Sequence, residues 1–159
     1  IKNWEGLRGK TDIINLYIEA SEVPDSSIAN DMYKLQRVGM VDCSLSETEG
    51  LSAKKDLVFC DLGYNNFKMG VIMKPLFSSN KLRWLCLADS LINAINLQFW
   101  PELEVLEIQG NCMEEIYNAH FCKKLKFVDV TGNILEDIPG LNNEKATILY
   151  EFGRSYECK

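Results

Sequence analysis

Between Leu82 and Ile138 the chain states one arrangement of apolar and polar places three times, as LRWLCLADSLI, LEVLEIQGNCM and LKFVDVTGNIL. Each copy is apolar at its first, fourth, sixth and eleventh places and carries a small polar residue at the ninth: Ser90, Asn111 or Asn133. Alternation across the third to seventh places has the period of two of a half-buried strand, so each copy predicts a short strand running into a tight turn. Weaker copies reach back toward the start. Leu57, Cys60, Leu62, Asn65 and Phe67 fill the five places once, Leu35, Val38, Met40, Cys43 and Leu45 again, and Ile13, Leu16, Ile18, Ser21 and Val23 a third time. Six repeats therefore start at residues 13, 35, 57, 82, 103 and 125. The one long interval, 25 residues, has its excess in KMGVIMKPLFSSN (68–80), where a short surface loop is expected.

Between these blocks the apolar spacing becomes three. Val23, Ser26, Ala29, Met32 and Leu35 follow it, and so do Met113, Ile116, Ala119, Cys122 and Leu125. That period fits 3₁₀ or irregular turns better than the 3.6 of an α-helix. Ile1, Trp4, Leu7 and Lys10 lead into Ile13 at the same spacing, like the second half of a repeat. After the Pro139-Gly140 turn, Ile148, Tyr150 and Phe152 alternate as the inward residues of a seventh, capping strand.

The pattern L-x-x-L-x-L-x-x-N-x-L resembles that of the leucine-rich-repeat family. The repeat length of about 22 residues is similar to the intracellular, phosphatase-regulator-like type. The resemblance implies an α/β solenoid with a curved parallel sheet on the concave face and 3₁₀ or irregular turns on the convex face. One repeat cannot bury its own apolar edge, whereas six stacked repeats share a continuous core. The expected organisation is a single domain over 1–159: a half-repeat or cap at 1–12, six repeats over 13–141, and a capping strand and tail at 142–159. The whole is expected to be a fragment of a longer protein. In the family, an asparagine at the ninth place bonds the backbone of the adjacent turn. Here Asn holds three of the six places, and Ser21, Cys43 and Ser90 should make reduced versions of that ladder.

Composition narrows the chemistry. Hydrophobic residues make up 47% and charged residues 25%, values of a globular domain, and no apolar run is long enough to span a bilayer. A net charge of -6 disfavours nucleic acid and anionic membranes as partners. Six scattered cysteines with no C-x-x-C pair point to free thiols in a reducing, intracellular setting, cytoplasmic rather than nuclear, with Cys60 buried and Cys86 exposed. The one histidine, His120, has no second ligand at a metal spacing, and GYNNFKMG lacks the lysine and hydroxyl of a phosphate-binding loop. No catalytic group, metal or cofactor is expected.

The outward places carry the functional signal. Third places read Asn15, Arg37, Phe59, Trp84, Val105 and Phe127, and fifth places read Tyr17, Gly39, Asp61, Cys86, Glu107 and Asp129. Strands about 4.8 Å apart would set Phe59, Trp84, Val105 and Phe127 in an apolar stripe roughly 15 Å long. Asp61, Glu107 and Asp129 would stand beside it, with Arg37 and Tyr17 at one end. Such a face suits a protein or peptide segment that is apolar and basic, bound by a non-catalytic scaffold or regulatory-subunit domain. The alternatives are a module of an RNA-processing or RNA-export factor, and a regulatory domain attached to a catalytic domain outside this stretch.

Overall fold

The computed structural model describes residues 4–23, 25–67, 71–72 (backbone only), 79–141 and 146–149. Seven parallel strands lie side by side, β1 Asn15–Glu19, β2 Arg37–Val41, β3 Phe59–Asp61, β5 Trp84–Cys86, β7 Val105–Glu107, β9 Phe127–Asp129 and β10 Thr147–Leu149. They pair strictly in chain order, and every pair joins equal places of successive repeats: Leu16 opposes Val38, Val38 opposes Cys60, Cys60 opposes Leu85, Leu85 opposes Leu106, and Leu106 opposes Val128. These fourth-place side chains join the sixth places in one core cluster, nearly all of it sealed from water. A register slip of one residue would turn the whole set outward, so the apolar pattern itself fixes the pairing.

The return path on the convex side contains 3₁₀ turns at Glu5–Leu7, Ser26–Ala29, Glu49–Leu51, Leu97–Phe99 and Ala119–Phe121, and no α-helix among the described residues. The period-of-three residues are the ones that face the core, Ala29 and Met32 in one turn and Ile116, Ala119 and Cys122 in another. The sequence gives no warning of a second sheet, in which β4 Val71–Ile72, β6 Ala94–Asn96 and β8 Glu115–Tyr117 pair in parallel along the convex side. Strands of two or three residues are too short to print a period. β4 also occupies part of the stretch expected to be a plain loop; most of 68–80 lies outside the described residues.

The chain leaves each strand of the six repeats through a left-handed residue at the eighth place. Ala20, Asp42, Tyr64 and Asp89 take φ of 48°, 51°, 57° and 47°, and Gly110 and Gly132 take 67° and 66°. Only the last two positions hold the residue type that adopts this conformation at no steric cost. Just beyond, the ninth-place ladder forms as the asparagines imply. The Asn111 amide donates to the carbonyls of Leu87 and Ile108 at 2.8 and 2.9 Å, and its oxygen accepts from the amides of Ser90 and Ile92 at 2.9 and 3.1 Å. Asn65 repeats the arrangement two repeats earlier, accepting from the amides of Cys43 and Leu45. Ser90 satisfies two carbonyls with its hydroxyl, Cys43 makes only long sulfur contacts, and Ser21 reaches no farther than Glu19.

At the start, Trp4 is buried and its indole donates to the Glu22 carbonyl at 3.1 Å, closing the first repeat; Ile1 lies outside the described residues. β10 adds to β9 with Ile148 opposite Val128 at the inward place. Ile148 nonetheless remains exposed, because no described element covers that end of the stack. Tyr150 and Phe152 lie outside the described residues.

Candidate functional site

The strand register builds the concave face as rows. Asn15, Arg37, Phe59, Trp84, Val105 and Phe127 stand opposite one another in sequence, continued by Thr147. The next outward row is Tyr17, Gly39, Asp61, Cys86, Glu107 and Asp129. All nine residues read from the sequence as a partner surface thus share one face, with Phe59 through Phe127 consecutive. Their exposure is unequal. Trp84 is 39% and Tyr17 58% exposed, while Phe59, Val105 and Phe127 are half-buried by their cross-strand neighbours.

The aromatic end of the face is already ordered. Phe59 and Trp84 meet edge to face with ring centroids 5.2 Å apart, and Tyr17 approaches Phe59 at 6.2 Å. The Arg37 guanidinium lies 4.5 Å above the Phe59 ring and donates through Nε to the Tyr17 hydroxyl at 2.8 Å. Gly39 makes this packing possible, since a Cβ there would stand 2.8 Å from the Tyr17 ring. The Trp84 indole donates to Glu107 Oε2 at 2.8 Å, tying the stripe to the acidic row.

That row does two jobs. Asp61 Oδ1 accepts from the Gly63 amide at 3.1 Å, and Asp129 Oδ1 accepts from the Thr131 amide and hydroxyl at 3.0 and 2.7 Å. Each therefore closes its own strand-ending turn while its charge stands beside the stripe.

Two expectations about cysteine fail. Cys86, expected on the exposed face, is 8% exposed. Its short side chain stands between the longer Asp61 and Glu107 of the neighbouring strands, and burial, with those carboxylates, pushes the thiol up to about 12. Cys60 is buried as expected. The expectation of no disulfide is wrong as well. Cys112 is disulfide-bonded, to a partner outside the described residues, whereas Cys43, Cys60, Cys86 and Cys122 are free. Standing in separate repeats does not by itself keep sulfurs apart, because pairing depends on distance in space, which spacing along the sequence does not give. The bond removes one support for a reducing, intracellular setting, because disulfides persist in oxidising compartments.

A charge pattern escaped the sequence reading. The place just before each repeat reads Asp12, Lys34, Asp56, Lys81, Glu102 and Lys124, alternating in sign, and consecutive members pair at 2.6, 2.5 and 2.5 Å. One place inside the pattern, Glu104 holds Lys126 at 2.6 Å and Arg83 at 3.8 Å. Aligning the repeats one residue earlier would have revealed the alternation. Exposed pairs of this kind contribute about 0–1 kcal/mol each, so they select register more than they stabilise it. Between this edge and the stripe lies a groove of about 770 Å³ lined by Arg37, Phe59, Lys81, Arg83, Trp84 and Glu102, among others.

His120 is exposed on the convex side, stacked on Phe121 at 4.4 Å. Among the described residues no group of three or more His, Cys, Asp or Glu side chains could hold a metal ion, and no helix is long and apolar enough to cross a membrane.

No protein-family model matches the chain, and no curated protein matches it. Among solved structures it is similar to an internalin, InlF, from Listeria monocytogenes, with a TM-score of 0.64 at 15% identity over 88% of this chain. The chain spans 41% of the length of that internalin. Identity so low speaks for the fold alone, and with the strand register it establishes that fold as a leucine-rich-repeat-type solenoid.

Proposed function

We propose that this chain is a protein-binding module, a non-catalytic scaffold or regulatory-subunit domain that holds a partner segment on its concave face. The observation that carries the reading is the in-register row Phe59, Trp84, Val105 and Phe127, with Trp84 39% exposed at its centre. Monomeric surfaces rarely keep such a row uncovered, and desolvated Trp and Phe at the centre of an interface are frequent hot spots. Asp61, Glu107 and Asp129 alongside favour a partner with Lys or Arg next to its large apolar side chains. Arg37 and Tyr17 bound the face at its aromatic end.

The test is capture from lysate by the wild-type chain and by the double variant Trp84→Ala, Phe127→Ala, after circular dichroism has shown that both are folded. The reading expects partners held by the first and lost by the second. Equal capture by the two would overturn it.

A further inference from the structure

The groove beside the stripe has a local charge opposite to that of the whole chain, which carries -6. Four of its lining residues are charged, and their pairings decide which charges remain. Lys81 is held by Asp56 at 2.5 Å, and Glu102 is turned to Lys124 at 2.5 Å. Both are largely neutralised. Arg83 reaches Glu104 only at 3.8 Å, because that carboxylate is committed to Lys126 at 2.6 Å. Arg37 meets a neutral phenol and an aromatic face, not an acid. The charge left in the groove is therefore two guanidinium groups, that of Arg37 over the Phe59 ring and that of Arg83, which precedes Trp84 in the chain.

Of these two arginines, Arg37 is also oriented before any ligand arrives. The Tyr17 hydroxyl and the Phe59 ring fix the Arg37 plane, so little rotamer entropy is lost when its fork engages a carboxylate. A planar fork bonds a carboxylate through two parallel N–H···O contacts, which a long salt bridge such as that of Arg83 does not match. Next to the forks, Phe59 and Trp84 offer ring edge and face to an apolar side chain.

We infer that this groove receives an acidic side chain adjoining an aromatic or large aliphatic one on the bound protein segment. The inference rests on the reading of the stripe as a protein-binding face and adds a direction to it. The segment lays its anionic part toward Arg37 and Arg83 and its cationic part toward Asp61, Glu107 and Asp129, so it binds in one orientation across the strands.

Capped octapeptides identical except for a central Glu-Phe, Gln-Phe or Lys-Phe pair, titrated calorimetrically into the chain, test this. Of its three tryptophans Trp4 and Trp100 are buried, so an emission change on peptide addition reports Trp84. The Glu-Phe peptide should bind at least tenfold more tightly than either twin. Arg37→Gln and Arg83→Gln should each weaken it at least fivefold and cut its advantage over the Gln-Phe peptide to less than threefold. Equal affinity for the three peptides, indifference to both arginine variants, or no binding of the Glu-Phe peptide would overturn the inference. So would tighter binding of an eight-nucleotide oligothymidylate, which would assign the arginines to phosphate. Binding of the Lys-Phe peptide that is lost in Trp84→Ala would leave the broader reading standing while this one falls. Glu-Phe binding unaffected by Trp84→Ala would remove the stripe reading instead.

Discussion

Replacing Asn111 by alanine removes one of the two most completely bonded side chains of the ladder, Asn65 being the other. Asn111 is 1% exposed, and its amide group satisfies the carbonyls of Leu87 and Ile108 and the amides of Ser90 and Ile92. Alanine strands two backbone N–H groups and weakens the environment of two carbonyls, each unsatisfied group costing about 1–3 kcal/mol. Relief of burying the asparagine itself offsets part of that. A net loss of roughly 3–4 kcal/mol is expected, a large share of a stability that is typically about 5–15 kcal/mol. Asn133 gives the internal control: it is only half-buried and its oxygen accepts a single amide, from Met113 at 2.9 Å, so Asn133→Ala should cost about 1–2 kcal/mol. Urea unfolding followed by circular dichroism measures both, with the slope checked for constancy. A cost below about 1 kcal/mol for Asn111→Ala, or equal costs for the two, would refute the claim that the ladder holds the turns.

Gly110→Ala should destabilise by about 2 kcal/mol or more, since φ is +67° and the new methyl would stand 2.3 Å from Asp89 Oδ1; thermal unfolding reads this. Denatured, unreduced protein should titrate four thiols, those of Cys43, Cys60, Cys86 and Cys122, and in the native state at pH 8 these should be nearly inert to a thiol reagent. The Cys86 and Cys122 thiols rise from an ordinary 9.0 to about 12 on folding, so their contribution is complete below about pH 9 and lost as pH climbs toward 12. In Cys122→Ala the alkaline fall in stability should be shallower. Glu107→Lys should slow association with a basic partner at low salt, an effect that shrinks as ionic strength rises in a stopped-flow series.

The strands were legible because the constraint on them recurs. Leu85, Leu106 and Val128 each answer to the same buried place, so three noisy readings reinforce one another, and the rows of the concave face follow from alternation alone. The second sheet was not legible, because β6 and β8 are three residues each and their pairing is set by the stacking already achieved on the concave side. Cys86 shows where alternation misleads: it gives the direction of a side chain but not the height of its neighbours. The disulfide at Cys112 likewise depends on a distance in space that spacing along the sequence does not give. The groove arginines fall between these cases. Arg37 and Arg83 are visible as outward residues, but that Arg83 lacks a close acid while Lys81 has one depends on pairings at 3.8 and 2.5 Å.

The central claim is that the row through Trp84 holds a protein segment. Its most direct measurement is a selection of random dodecapeptides on the wild-type chain, each enriched peptide then being assayed on wild type and on Trp84→Ala, Phe127→Ala. The account predicts enriched peptides bearing large apolar side chains, with affinities that fall at least thirtyfold on the double variant, about 2 kcal/mol. Enriched peptides that bind both proteins equally would contradict it.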